Sequence, residues 1–129
     1  MAVPRMRSPL GRAIGLGSAK EGVQHWWAER VSGLALVPLS LWFVAAIVEL
    51  AGADRDTFVD WVRNPLRAGF LVLLLIATFY HGALGLQVVV EDYIENEAQR
   101  LALIVVMRAA AFLLAVLGIV AVLQLSLGA

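Results

Sequence analysis

Cysteine is absent from these 129 residues, and histidine occurs only twice. Without a thiol the chain makes no disulfide, thiolate zinc site, cysteine-held iron–sulfur cluster or covalent c-type haem attachment. Any redox centre here must be held by histidine, or be held elsewhere. Charge is scarce too: charged residues make up 16% of the chain, and ten basic and ten acidic side chains cancel. That balance offers no electropositive field for nucleic acid. What is abundant is apolar. A hydrophobic share of 61% and a mean hydropathy of +0.84 are too high for a soluble domain of this length, so the chain reads as a membrane protein.

Arg5, Arg7 and Arg12 resemble the basic region of a signal peptide. A signal would need an apolar run directly after them, but Leu10 to Gln24 is broken by Gly11, Gly15, Gly17, Ser18, Lys20 and Glu21. Residues 1–30 are therefore expected as a retained polar or interfacial arm. Ser18 and Glu21 have capping-box spacing, while Gly22 weakens the case for a helix there.

Three runs are long enough to cross a hydrocarbon core, which takes about 20 helical residues. They are Val31 to Leu50, Ala68 to Val90, and Leu101 to Leu127. In lipid a single span must satisfy its own backbone hydrogen bonds, so each is expected as a helix; none alternates as a barrel strand would. Asn64-Pro65 supplies a start for the second, with Asn as cap and Pro at the first helical position. Pro38 removes one backbone donor from the first and should bend it. The fold class is thus an all-α membrane protein, a single domain of three transmembrane helices joined by short polar connections. Arg5, Arg7, Arg12, Lys20 and Arg30 outnumber Arg55, Arg63 and Arg67 of the first loop, which places the N-terminus in the cytoplasm. Trp26, Trp27 and Trp61 fall near span ends, where indoles favour the headgroup layer.

His81 lies near the middle of the second run. An imidazole there is costly without a partner, which makes it the leading functional candidate. At about 100° per residue, Ala77, Thr78, His81, Gly85, Val88 and Asp92 share a stripe, and Gly82 adds to the space beside the histidine. Small residues around an imidazole suit a haem macrocycle on its nitrogen, a closely packed helix with an interhelical hydrogen bond, or a proton path. If His81 binds haem, His25 is too far along the chain to be the second axial ligand, which must then come from another subunit.

Asp92-Tyr93 ends the second run, roughly 16 Å of helix from His81. A phenol at the membrane surface is either an interfacial anchor or a donor to a quinone carbonyl. Beside it Asp92 could orient the tyrosine or relay a proton, while Glu91, Glu95 and Glu97 make a plain solvated acidic turn equally available.

The block HGALGLQVVVEDY, residues 81–93, resembles the signature of the hydrophobic membrane anchor subunit of succinate dehydrogenase. GLGSAKEG, residues 15–22, followed by HWWAERVSGLALVPLSLWF, residues 25–43, is similar to the start of its proteobacterial members. The resemblance implies that His81 is an axial ligand of a haem b shared with a second cytochrome b anchor of three helices. It implies Tyr93 as a partner of ubiquinone and Asp92 as its neighbour. It suggests Arg30 near the quinone or the haem propionates, where the plain reading is a snorkelling arginine. Flavoprotein and iron–sulfur subunits would complete a multi-pass assembly of the bacterial inner membrane, the succinate site lying on another subunit and none of the catalytic residues on this one. The rival readings are the anchor of a fumarate reductase, a non-redox scaffold, and a proton relay through His81, Asp92 and Arg108. Arg108 is otherwise expected to snorkel, and His25 with Trp26 and Trp27 to form an interfacial belt.

Overall fold

The computed structural model describes residues 9–10 and 18–128. Arg5, Arg7, Arg12 and the glycines of the arm at 11, 15 and 17 lie outside the described residues. Helix α1 spans Ser18–Glu49, α2 Arg55–Val62, α3 Pro65–Tyr93 and α4 Glu97–Leu127. Three of them, over Gly22–Glu49, Pro65–Tyr93 and Glu97–Leu127, are long and apolar enough to cross a membrane.

The boundaries depart from expectation at the N-terminus. Helix α1 begins at Ser18 and runs straight through Gly22, so residues 18–30 of the expected arm are the first turns of the spanning helix. One glycine costs only about 1 kcal/mol in a helix interior, which a helix nucleated by a long apolar segment absorbs. Pro38 lies inside α1, and the helix continues past it to Glu49.

The first connection is likewise more ordered than a short polar loop. Asp54 accepts a hydrogen bond from the Thr57 N–H at 2.9 Å and starts α2. Helix α3 starts as its sequence indicates: Asn64 Oδ1 accepts from the N–H groups of Leu66 and Arg67, with Pro65 in the first turn. Asn96 caps α4 in the same way, accepting from Gln99 N–H at 3.0 Å.

Helix α3 is the central element, packed against α1 on one side and α4 on the other, with α2 laid across the α3–α4 end. At Gly118 of α4 an added methyl would stand 3.1 Å from Leu75, so the bare backbone permits this close approach. Few side chains are buried within the chain: Ala46, Trp61 and Val62 form one small core at the end where α1 stops, backed by Trp42, Leu50, Leu71, Val122 and Leu125. The remaining apolar faces of the long helices stay exposed. In a bilayer those faces meet lipid or other helices, as the length and hydropathy of the helices require.

Candidate functional site

His81 points from α3 to α1. Its Nδ1 stands 3.0 Å from Ser32 Oγ, and the Ser32 hydroxyl donates to the Glu29 carbonyl at 3.1 Å. Ser32 is the buried polar side chain among the described residues, 8% exposed. Beside it, Gly33 presents bare backbone to the ring: a Cβ there would lie 3.2 Å from His81 Cε1 and 3.9 Å from Nε2. Neither Ser32 nor Gly33 stands out in the sequence, because nothing local tells which face of α1 meets α3.

A cavity of about 460 Å³ opens at this point, lined by Glu29, Arg30, Gly33, Leu34, Val37 and His81. The structure thereby brings Arg30 and His81 together, two residues separated by most of two helices in sequence. The Arg30 guanidinium also lies 5.3 Å from the centre of the Trp26 ring, a cation–π distance. Of the two uses expected for the small residues beside His81, a closely packed helix and cleared space, the structure shows cleared space. An added methyl on Gly82 or Gly85 would meet nothing within 4 Å, so those residues border open space instead of a packed helix of this chain. The tight approach to the imidazole belongs to Gly33.

Asp92 and Tyr93 do not join that cavity. They end α3 on its exposed surface, Tyr93 being 80% exposed, and no side chain among the described residues hydrogen-bonds either of them. Five residues before Asp92, the Gln87 amide donates to Glu91 Oε1 at 2.7 Å and accepts from Arg108 of α4. Arg108 is exposed and meets α3 through Gln87. Trp26 and Trp27 are exposed and packed edge to face at 5.2 Å, while His25 Nε2 is buried with no hydrogen-bond partner among the described residues.

The opposite end of the bundle is closed. Trp61 of α2 stacks on Trp42 of α1 at 5.9 Å, and Trp42 meets Phe70 of α3 edge to face at 5.3 Å. Glu49 accepts from Trp61 Nε1 at 3.4 Å and pairs with Arg67 at 3.6 Å, and the Arg67 guanidinium lies 5.0 Å from the Trp61 ring centre.

Chemically, the described residues gather no three histidine or carboxylate side chains able to hold a bare metal ion. A metal at His81 would need its other ligands from a macrocycle or another chain. The Nδ1 contact leaves Nε2 without a hydrogen-bond partner among the described residues, so one ring nitrogen remains for a ligand.

Comparison with known proteins agrees with the family resemblance of the sequence. The profile of the succinate dehydrogenase/fumarate reductase transmembrane subunit matches residues 4–126. The succinate dehydrogenase hydrophobic membrane anchor subunit of Rickettsia bellii (strain RML369-C) is 34% identical over 116 residues, 90% of this chain and 93% of the relative. That of Paracoccus denitrificans is 30% identical over 128 residues, 94% and 99% of the two chains. The succinate dehydrogenase membrane anchor subunit of Reclinomonas americana is 26% identical over 92 residues, 69% and 77%. No solved structure matches. The profile match spans nearly the entire sequence, and the chain belongs to the succinate dehydrogenase/fumarate reductase transmembrane subunit family.

Proposed function

We propose that this chain anchors a succinate:quinone oxidoreductase in the bacterial inner membrane and, with a second cytochrome b anchor, binds haem b and ubiquinone. The observation that carries the reading is His81, inside the middle span, lining a cavity with Arg30 and keeping Nε2 without a hydrogen-bond partner among the described residues. The residues present fit a haem. Gly33 leaves bare the edge that a Cβ would crowd, and Gly82 and Gly85 flank the histidine with open space. His81 Nε2 would hold the iron, and Arg30 would set a positive charge toward the propionates. Haem b, when bound, supplies a one-electron store. The second axial ligand would come from the partner anchor, since His25 sits two turns of α1 before Ser32.

Tyr93 would donate its phenolic O–H to a ubiquinone carbonyl, stabilising negative charge that builds on that oxygen during reduction. Its exposed position at the end of α3 supports a site completed by other subunits. Asp92, adjacent and exposed, would orient the phenol or pass a proton inward from water. The flavoprotein and iron–sulfur subunits would dock at this face, which the basic N-terminal segment assigns to the cytoplasm. Succinate oxidation would then belong to the flavoprotein, and this chain's share of the chemistry would be positioning and electrostatics.

The test is a reduced-minus-oxidised visible spectrum of the detergent-purified complex, wild type against His81→Ala. Loss of the b-type band with all subunits retained is the expected result. An unchanged band would overturn ligation by His81.

A further inference from the structure

Ser32 is a buried hydroxyl in an apolar stretch of α1, and its hydrogen bonds fix the chemistry of its neighbour. A serine has one proton to give. Here it goes to the Glu29 carbonyl one turn back, at 3.1 Å, the usual bond of a serine inside a helix. Oγ therefore faces His81 Nδ1, 3.0 Å away, with a lone pair. An imidazole nitrogen meets a lone pair at that distance only as N–H; two facing lone pairs in a low-dielectric span would repel and leave both groups unsatisfied. Nδ1 thus carries the proton and Nε2 the free pair. On the next residue, Gly33 receives the Cε1 edge on bare backbone, where a methyl would stand 3.2 Å away.

We propose that Ser32, with Gly33 beside it, is the positioning residue of the haem ligand: it holds His81 as the Nδ1–H tautomer, turned so that Nε2 faces the iron. This rests on the haem reading of His81. A ligating histidine that donates its other N–H to an acceptor becomes a stronger electron donor, which favours the oxidised metal and lowers its potential. Removing the acceptor raises it. The same hydrogen bond fixes the ring plane, which sets the anisotropy of the oxidised low-spin signal.

The experiment is a redox titration of the haem α-band, with electron paramagnetic resonance of the oxidised state, on the purified complex carrying wild-type chain, Ser32→Ala, Ser32→Thr or His81→Ala. Expected are an upward shift of the midpoint potential and a displaced low-spin signal in Ser32→Ala. Ser32→Thr, which keeps a hydroxyl, returns both toward wild type. Gly33→Ala keeps the acceptor and shifts the low-spin signal through ring displacement, with a smaller change in potential. A Ser32→Ala complex indistinguishable from wild type would sink the proposal, as would a threonine variant displaced as far as the alanine one. If Ser32→Ala loses haem outright, Ser32→Thr decides: wild-type potential supports the role, and loss of haem there too overturns it. His81→Ala keeps the two readings apart. Haem retained with unchanged potential in that variant defeats the ligand assignment, whereas haem lost in it and unaffected in Ser32→Ala defeats only the role of Ser32.

Discussion

The two ends of the bundle solve the problem of polar groups near lipid in opposite ways. At the α1–α2–α3 end, the polar partners come from within the chain: Glu49 takes the Trp61 indole N–H and the Arg67 guanidinium, beside the packed rings of Trp42, Trp61 and Phe70. At the His81 end, the chain stops short. Among the described residues, Nε2 of His25 is buried without a hydrogen-bond partner, Nε2 of His81 has none, and Tyr93 is exposed. The first end holds the helices in register; the second exposes what other molecules are to complete. Under the proposed function, a shared cofactor site would need both, because an open site stays in position only if the helices bearing it are pinned elsewhere.

The comparison breaks most visibly at Trp61, which is buried against Trp42 and supports the closed end. Trp61→Ala is expected to cost about 3 kcal/mol, the lower range for truncating a buried aromatic. It should lower the temperature at which this subunit aggregates from the purified complex while leaving the haem spectrum in place before that transition. A variant that lost haem at low temperature would mean that the two ends are one cooperative unit.

Tyr93 sharpens the other side. Tyr93→Phe removes one donor and leaves the ring, so quinone reduction should fall about a hundredfold, the worth of a hydrogen bond aimed at developing negative oxygen. Succinate oxidation with a soluble acceptor should be unchanged. Loss of both activities would make Tyr93 an assembly contact.

Arg67 tests how much of the closed end is electrostatic. Its carboxylate partner is more than half exposed, and exposed ion pairs contribute little, so Arg67→Met should move the same aggregation temperature far less than Trp61→Ala. An effect as large as that of the tryptophan would mean that the guanidinium, through Trp61 and Glu49 together, is the main clasp.

This contrast was only partly legible in the sequence. Runs of apolar residues determine spanning helices without reference to anything distant, and the Asn64-Pro65 start is a local cap, so both were readable. His81 and Asp92-Tyr93 drew attention by residue type at their depth, and their roles belong to the proposed function. The site's other half was not readable. Ser32 and Gly33 are ordinary small residues until α1 is laid on α3, and that packing is tertiary. The early start of α1 was obscured by Gly22, whose local cost the long helix overrides. Helix α2 was hidden for a different reason: it is short and half polar, and it forms because its cap and the burial of Trp61 and Val62 hold it to the bundle.

That cap gives the smallest effect. Asp54 is fully exposed in the first connection, and hydrogen bonding from Thr57, its side chain first and its backbone N–H second, holds the Asp54 carboxyl below its ordinary value. A carboxyl whose folded pKa is depressed binds protons more readily when its segment unfolds. The stability it contributes is therefore fully present above the ordinary carboxylate range and is lost as pH falls through the folded value. Acidification should fray α2 first, since α2 is short and depends on this cap, while α3 and α4, capped by Asn64 and Asn96, do not titrate at that point. Hydrogen exchange of the residues 55–62 amides, followed across the acidic range, should rise in wild type. Asp54→Asn keeps a side-chain acceptor and removes the titration, so its exchange should be flat with pH. If both chains frayed alike, protonation elsewhere in the bundle would be releasing α2, and the closed end would be held by its tryptophans with no help from the cap.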